Sequence, residues 1–496
     1  MRGRIVVAAV VVVALIIGAR LALVARDFDS IAAADAFEAA RGNHTDLRAF
    51  LQRMPKGGDL HTHLSGAVYA ERFVGWAAEK QAQGEMCASL ADVLVAKPHC
   101  DPPADVSVAD ALRDQKLYDR LVDAFSIRAF LRSAAEPTGH DQFFAAFEKF
   151  GAASGAHFVD MTVDQLRHYD SENVQYAEFM TSFSCSSDRE KFVKAVAGQK
   201  DDAARLAALQ ASGLEDCVTA KRKELAAAIG EIARKLACDA GGKQPGCGVT
   251  FRYIAQVLRN NPPDDVFVQT AIAAALARTE PNVVALNLVQ PEDYLVARRD
   301  YTRQMEIIGF LAKDVPVTLH AGELWLGLVP PSDLAFHIRQ AVEIAHARRI
   351  GHGVALAFED DMEGLLAEMR GRPVAVEINL TSNDVVLGVR GKDHPLPRYL
   401  AAGVPVVLST DDAGISRINL SNEYFRAARD YALSYRTLKA FAHNALTYSF
   451  LDEGRKRAEL ERLDRSYAAF ERDLTNRRSA LQNLLSLMKA TLTPPL

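Results

Sequence analysis

The sequence predicts an α/β fold in which eight parallel strands alternate with helices and close into a (β/α)8 barrel of the TIM type. Eight short apolar runs are separated by stretches with helical spacing. Polar side chains cluster where the runs end, whereas the starts of the runs carry no such cluster. Strands that alternate with helices form parallel sheets, and an eight-stranded barrel carries its active site at the carboxyl ends of the strands. The runs are "GGDLHTHL" (57–64), "VQYAEFM" (174–180), "GVTFRYIAQV" (248–257), "NVVALNLV" (282–289), "VPVTLHAGE" (315–323), "RIGHGVAL" (349–356), "PVAVEINLTSN" (373–383) and "GVPVVLSTDD" (403–412).

The length and composition fit one large decorated domain that binds a small ligand. The chain has 496 residues, of which 49% are hydrophobic and 24% are charged, and its formal net charge is −5. A single core usually stops growing below this length, but barrels with insertions reach it. The weak negative charge offers no electrostatic basis for nucleic-acid binding, so we expect a small-molecule ligand and no nucleic-acid partner.

Residues 1–26 are expected to be a signal peptide or a membrane anchor. Two arginines precede an uninterrupted apolar run from Ile5 to Ala19. This run is long for the core of a signal peptide and short for a complete membrane span, and no clean cleavage site follows it. A removed signal and a retained anchor both stay open. Either one predicts export, with the domain at 27–496 in the periplasm or outside the cell.

The cysteines favour disulfides. They are even in number and none lies in a C-x-x-C pair, which is the pattern expected of an exported protein without structural zinc. We expect Cys238 and Cys247 to close a short loop and Cys87 to pair with Cys100, although the spacing alone leaves the connectivity open. Free buried thiols are the alternative. The six cysteines are Cys87, Cys100, Cys185, Cys217, Cys238 and Cys247.

Two regions are predicted to be additions to the barrel. The stretch at about 186–247 carries Ala, Leu, Lys and Glu at helical spacing and is expected to form a helical insertion between the second and third strands. The segment at about 452–489 is amphipathic. It is expected to be a helix packed on the barrel, with a dimer contact as the alternative.

Four residues form a candidate metal site. His61 and His63 stand two apart on the first strand, so their side chains share one face. Alone, the pair also fits one buried histidine and one facing solvent. His320 on the fifth strand and Asp411 on the eighth complete a set that can converge at the mouth of a barrel. Three imidazoles and one carboxylate suit one zinc or similar divalent ion, which lowers the pKa of bound water.

Three more polar residues accompany this set. Glu323 follows His320 by three residues in "HAGE" and is a candidate general acid and base. His352 lies between two glycines in "GHG", where it can approach the reacting atoms and stabilise developing charge. Asp412 would point away from Asp411 on a continuing strand, but a turn at the strand end can direct it toward the ligand.

The chain resembles the adenosine deaminase family of the metal-dependent amidohydrolases. The matching segments occur in family order from about Met54 to Tyr424, and they are "MPKGGDLHTHLSGA", "VQYAEFM", "VTLHAGE", "RIGHGVAL", "LTSND", "HPLPRYLAAGVPVVLSTDDAGI" and "SNEY". The opening "MPKGG", the export segment and the long chain look more like the extracellular, growth-factor-related branch than the compact enzymes. The H-x-E and P-C-x-x-C signature of the other zinc deaminases is missing.

The resemblance implies a hydrolase that converts adenosine and 2′-deoxyadenosine to inosine and 2′-deoxyinosine with release of ammonia. It implies that the three histidines and Asp411 bind one Zn²⁺ per chain. It further implies that Glu323 protonates the ring nitrogen next to the reacting carbon. His352 would support the attacking hydroxide, and Asp412 would hold another ring nitrogen.

Two positions depart from the family pattern. Ser65 stands where relatives carry an acidic residue near the sugar, and Gln290 stands where they carry a glycine that contacts the substrate through its backbone. Both positions concern the nucleoside, and neither belongs to the candidate metal site. The alternatives are another metal-dependent amidohydrolase that acts on a different purine or amine, and an exported protein that binds or signals without catalysis.

Overall fold

The computed structural model describes residues 28–79, 86–89, 91–96, 105–238, 244–477 and 482. The expected signal or anchor segment at 1–26 lies outside these residues, as does Cys100. Among the helices that the structure describes, none combines the length and the apolar character that a membrane span requires.

Each of the eight predicted runs contains a strand. Three very short strands that the sequence did not predict form a separate antiparallel sheet in the order β3-β2-β4. In chain order the strands are β1 (Gly57–His63), β2 (Met86–Ala88), β3 (Leu94–Ala96), β4 (Val106–Ser107), β5 (Val174–Thr181), β6 (Thr250–Leu258), β7 (Val283–Val289), β8 (Thr318–Ala321), β9 (Arg349–His352), β10 (Ala375–Ile378) and β11 (Val406–Leu408).

The eight predicted strands form two parallel four-stranded sheets, with the orders β1-β5-β6-β7 and β11-β10-β9-β8. Isolated parallel bridges, Thr62 to Asp411 and Leu286 to Val317, connect the sheets at both of their outer edges. Every residue of β1 is buried, as expected for a parallel strand that is covered on both faces. The predicted parallel α/β fold is confirmed, and the carboxyl ends of the eight strands lie on one side.

Helices cover the sheets and follow most of the strands. They are α1 (28–41), α2 (His44–Arg53), α3 (Ala70–Ala78), α4 (Val108–Ala111), α5 (Gln115–Ala124), α6 (His140–Ala156), α7 (Phe158–Ser171), α8 (Arg189–Val196), α9 (Asp202–Ala211), α10 (Leu214–Leu236), α11 (Pro263–Thr279), α12 (Leu295–Arg299), α13 (Tyr301–Leu311), α14 (His337–Glu343), α15 (Met362–Gly371), α16 (Leu380–Leu387), α17 (Leu396–Ala402), α18 (Ala413–Ser416), α19 (Leu420–Asp430), α20 (Tyr435–Thr447) and α21 (Glu453–Arg477). Short 3-10 segments lie at Pro331–Leu334, Val354–Phe358 and Gly391–Asp393.

Two of the predicted apolar runs pass from a strand into a helical segment. The run at 373–383 ends as a strand at Ile378, and α16 starts at Leu380, so "LTSN" is helical. The run at 349–356 ends as a strand at His352 and continues as a 3-10 segment. In neither run does the pattern of apolar and polar residues mark the position at which the strand ends.

The region between β5 and β6 contains α8, α9 and α10, and disulfides fasten it. Cys185, just after β5, pairs with Cys217 on α10, and Cys238 pairs with Cys247. The second pair confirms the predicted short loop. Cys87 is also disulfide-bonded, and none of the described cysteines is free.

The C-terminal helix α21 packs along the body of the chain. Its buried side chains include Leu463, Tyr467 and Phe470, and the Tyr467 hydroxyl donates a hydrogen bond to the Pro55 carbonyl at 2.7 Å. Phe470 also packs edge-on against Phe50 of α2. The apolar face of the predicted amphipathic segment is therefore covered within the chain as far as residue 477.

Titration of thiols tests the cysteine assignment. We expect no free thiol when protein produced in an oxidising compartment is denatured without reductant, because disulfides persist there. The same titration after reduction is the control and should count all six cysteines of the chain. Six titratable thiols before reduction would contradict the assignment.

Candidate metal centre and active-site cavity

Three histidines and one aspartate converge at the carboxyl ends of the strands. His61 and His63 end β1, His320 lies on β8, and Asp411 follows β11. Nε2 of His61 and Nε2 of His63 each lie 3.1 Å from Nε2 of His320. Asp411 Oδ1 lies 3.5 Å from Nε2 of His61 and 3.4 Å from Nε2 of His63. All four residues are buried, so neither histidine of the H-x-H pair faces solvent.

The other ring nitrogen of each histidine has a polar partner that aims the ring. Such partners orient metal-binding imidazoles and fix their tautomers. The Glu377 carboxylate accepts from Nδ1 of His61, and the side-chain oxygen of Asn287 accepts from Nδ1 of His320. In both histidines Nε2 is therefore free to bind a metal. The Nδ1 contacts are His61 with Glu377 Oε2 at 2.6 Å, His63 with the Gln256 amide at 2.6 Å and His320 with Asn287 Oδ1 at 3.1 Å.

The donor set fits a divalent cation. Asp411 Oδ1 is buried and has no hydrogen-bond partner among the described residues, although it points at the histidine nitrogens. An unpaired buried carboxylate oxygen is costly unless a cation compensates it. Three imidazole nitrogens and one carboxylate within 4.8 Å of one another are ligands that zinc prefers. The four residues would hold one such ion.

A buried ion pair behind the site was not predicted from the sequence. Arg349 of β9 forms ion pairs with Glu377 of β10 and with Glu178 of β5, the latter at 2.6 Å. Burial opposes ionisation of Glu377, but the Arg349 charge and the contact with His61 outweigh it and lower the pKa of Glu377 to about 2. Glu377 therefore stays charged and holds His61. The available signal was a charged residue inside an otherwise apolar run.

Glu323 lies beside the metal ligands at the end of the "HAGE" turn. It is 7% exposed, and burial together with the charges of Asp411 and Glu292 raises the pKa of its carboxyl well above the usual value. Glu292 holds the turn, because its carboxylate accepts the N–H groups of Gly322 at 3.1 Å and Glu323 at 2.8 Å. The position of Glu323 and the raised pKa of its carboxyl both suit a proton donor.

A chain of hydrogen bonds fixes the tautomer of His352. The Leu396 N–H donates to Nδ1 of His394, so the proton of His394 is on Nε2 and is donated to Asn383 Oδ1 at 3.0 Å. The Asn383 amide must then donate to Nδ1 of His352, at 2.8 Å. His352 consequently carries its proton on Nε2. Burial lowers the pKa of His352 to about 3, so the ring is neutral.

Replacing Asn383 with aspartate tests this chain. The carboxylate still accepts from His394, but it attracts a proton to Nδ1 of His352 and removes the donor from Nε2. We expect kcat to fall by about 10²–10³-fold, the usual cost of losing a donor to developing charge. Nitrogen-15 NMR should show the proton on Nδ1. The exposed Asn476→Asp is the control. Wild-type turnover with a protonated Nδ1 would contradict a role for this tautomer.

The turn after β11 directs two consecutive aspartates inward. Asp411 has a φ of 60°, in the left-handed region, which breaks the alternation of the strand. Asp411 and Asp412 therefore both line the cavity. Asp412 packs so closely on Gly66 that a Cβ there would lie 1.6 Å from Asp412 Oδ1. Burial and the Asp411 charge raise the pKa of Asp412 well above its usual value, which favours the protonated form of this carboxyl.

Ser65 and Gln290 also line the cavity. Gln290 has a φ of 84°, a conformation that favours glycine, and it adopts this conformation with its side chain turned aside. Its Oε1 accepts the N–H of Asn260 at 3.0 Å. The bulky side chain at this position therefore leaves the cavity open and does not cover its floor.

The cavity around these residues has a volume of about 280 Å³. One wall consists of three phenylalanines of α6 that sequence reasoning did not identify, because their helix lies far from every motif. A polar floor and an aromatic wall suit a flat heteroaromatic ligand. The phenylalanines are Phe143, Phe144 and Phe147.

Part of the chain is similar to known deaminases. The sequence model of the adenosine deaminase family matches residues 234–466. An adenosine deaminase of Enterococcus faecalis is 32% identical over 154 residues, which are 31% of this chain and 42% of the relative. An adenine deaminase of Rhizobium leguminosarum is 31% identical over 220 residues, or 44% and 62% of the two chains. The matches thus span less than two thirds of either relative.

A solved structure supports the fold over a longer stretch. The N6-mAMP deaminase of Arabidopsis superimposes with a TM-score of 0.54 and 20% identity, over 84% of this chain and 99% of its own. At this identity the likeness concerns the fold. The family likeness rests on the sequence matches, and it is to the adenosine deaminase family, over residues 234–466.

Proposed function

We propose that the protein hydrolyses adenosine and 2′-deoxyadenosine to inosine and 2′-deoxyinosine, with release of ammonia, on a (β/α)8 barrel. Water adds at the carbon that bears the amino group, and that amino group leaves as ammonia. The observation that carries the proposal is the convergence of a four-ligand metal site with Glu323 and Asp412 at one cavity, with His352 packed directly behind Glu323. The matched relatives are named for different adenine compounds, so the nucleoside belongs to the proposal.

A metal held by the four ligands would activate water for attack at neutral pH, and zinc is the ion that this donor set favours. The chain supplies the remaining chemistry. Glu323 donates its proton to the purine ring nitrogen next to the reacting carbon, which withdraws electrons from that carbon. Its carboxyl lies within 3.5 Å of the His352 ring, so the proton donor and the imidazole act on the same point.

His352 stabilises charge during the reaction, and Asp412 orients the purine. The neutral imidazole donates from Nε2 to the charge that develops during addition. The protonated Asp412 carboxyl, whose Oδ1 has no partner among the described residues, donates to another ring nitrogen of the purine. This hydrogen bond sets which face of the ring meets the metal ligands. The phenylalanines of α6 exclude water from the opposite side of the cavity.

We also propose that the protein acts after export from the cytoplasm. The support is the apolar run of the first residues together with the disulfides of the chain. Disulfides persist in the periplasm and outside the cell and are rare in the cytoplasm.

A substrate comparison tests the proposal and the role of Ser65. We expect ammonia from adenosine and 2′-deoxyadenosine but little from adenine. Because Ser65 is uncharged and short, adenosine and its 5′-deoxy analogue should differ by no more than about tenfold in kcat/KM, since a neutral hydrogen bond contributes ~0.5–1.5 kcal/mol. A larger preference for adenosine would contradict the prediction that the site discriminates weakly at the 5′ position of the sugar. No ammonia from any adenine compound would favour another amidohydrolase reaction.

A further inference from the structure

A second cavity adjoins the one that contains the metal ligands. Its volume is about 540 Å³, and Ser65 and Gln256 line both cavities. Gln256 connects them chemically, because its amide contacts His63 Nδ1 at 2.6 Å and accepts from the Ser182 hydroxyl at 3.3 Å. The two cavities therefore meet at Ser65 and Gln256.

The helical insertion builds the far wall of this second cavity. α10 contributes Lys221, Glu224, Leu225 and Ala228, which follow one another at helical spacing on one face. The loop at 182–186 contributes the facing wall, and the Cys185–Cys217 disulfide ties this loop to α10. The second cavity is therefore held by a covalent link between its two walls.

The lining of the second cavity is amphipathic and has no net charge. Lys221 is its one cation, and Lys221 Nζ lies 2.7 Å from Glu224 Oε2, so the two charges compensate each other. A dianion such as a phosphate would meet Glu224 as well as Lys221. The remaining lining combines serine and threonine hydroxyls with apolar side chains, namely Phe158, Met161, Met180, Phe183, Leu225 and Ala228. Such a surface matches a substituent with an apolar stem and a polar end.

We propose that the second cavity binds the substituent of an adenine nucleoside that is extended at the 5′ carbon, and that the preferred substituent has no net charge. The inference rests on the proposed function, which puts the purine in the first cavity and the sugar beside Ser65. The first cavity alone has about 280 Å³, below the ~300–1,000 Å³ usual for ligand pockets. With a short Ser65 between them, the two cavities together form a site of ordinary size.

Three 5′-substituted nucleosides test the charge preference. S-adenosylhomocysteine carries a long thioether with a zwitterionic end, 5′-methylthioadenosine a short neutral one, and AMP a phosphate. We expect both thioethers to equal or exceed adenosine in kcat/KM, and AMP to be at least tenfold poorer than adenosine. AMP as the best of the three would overturn the proposal, and so would a tenfold loss for both thioethers.

Two variants of α10 test the location. Ala228→Trp fills the second cavity and should lower the ratio of kcat/KM for S-adenosylhomocysteine to that for adenosine by tenfold or more. Ala227→Trp adds the same side chain to the exposed face of the helix and should leave the ratio unchanged. Glu224→Gln leaves Lys221 unpaired and should raise kcat/KM for AMP several-fold. Equal ratios in the two tryptophan variants would place the substituent elsewhere.

Calorimetric binding separates this inference from the proposed function. S-adenosylhomocysteine should bind at least as tightly as adenosine, and Ala228→Trp should weaken only its binding. If no adenine compound releases ammonia, the proposed function fails, and these affinities decide the second cavity alone. If adenosine is deaminated but Ala228→Trp does not weaken S-adenosylhomocysteine, the cavity proposal fails while the function stands.

Discussion

Replacement of His320 with alanine is expected to remove the metal and the activity together. His320 Nε2 lies 3.1 Å from the ligand nitrogens of both other histidines, so it occupies the centre of the donor set. Loss of a partner that only orients a ligand costs ~10–100-fold in metal affinity, and loss of a ligand should cost more than about 100-fold. The measurement is the metal content per chain after dialysis, with ammonia release from adenosine.

The exposed His44 provides the matched control, because His44→Ala removes an imidazole from the surface. This variant should keep one metal per chain and full turnover. A circular-dichroism melt of both variants distinguishes metal loss from unfolding. If His320→Ala retains one tightly bound metal per chain, His320 is not a ligand and the site is assigned wrongly.

Replacement of Glu323 with glutamine should keep the metal and remove most of the turnover. The amide preserves the shape of the side chain and cannot transfer a proton, and positioned acids and bases contribute about 10²–10⁴-fold to the rate. The loss should appear in kcat, because the proton is needed during the reaction and not for binding.

Glu306→Gln changes an exposed carboxylate in the same way and should have no effect on kcat. Metal content measured beside kcat shows whether the Glu323 site stays intact. A Glu323→Gln enzyme with the metal present and kcat within about threefold of wild type would remove Glu323 from the mechanism.

The sequence predicted the parts of the fold that have a strong local pattern. All eight parallel strands were identified, because buried strands appear as apolar runs whose ends carry polar residues. The sheet β3-β2-β4 was missed, since strands of two or three residues show no periodicity. The end of β10 was placed too late, because the polar residues of "LTSN" were interpreted as the end of a strand, whereas they form the first turn of α16.

The sequence predicted those site residues that lie within a recognisable motif. The residues that aim the motif side chains were not found, because their role depends on a partner distant in the chain. Glu377 orients the ring of His61 by accepting its hydrogen bond, and Asn383 fixes the tautomer of His352 because His394 orients its amide. The positive φ of Gln290 and the hydrogen bond of its side chain with Asn260 also become visible only in three dimensions.

The most direct test is ammonia release from adenosine while zinc is returned to metal-free protein. We expect no ammonia from the metal-free chain, a rise in rate up to one zinc per chain, and inosine in an amount equal to the ammonia. His320→Ala should gain no activity from the same additions. A chain that binds one zinc through the four ligands but releases no ammonia from adenosine or 2′-deoxyadenosine would contradict the proposed function, and so would full turnover without metal.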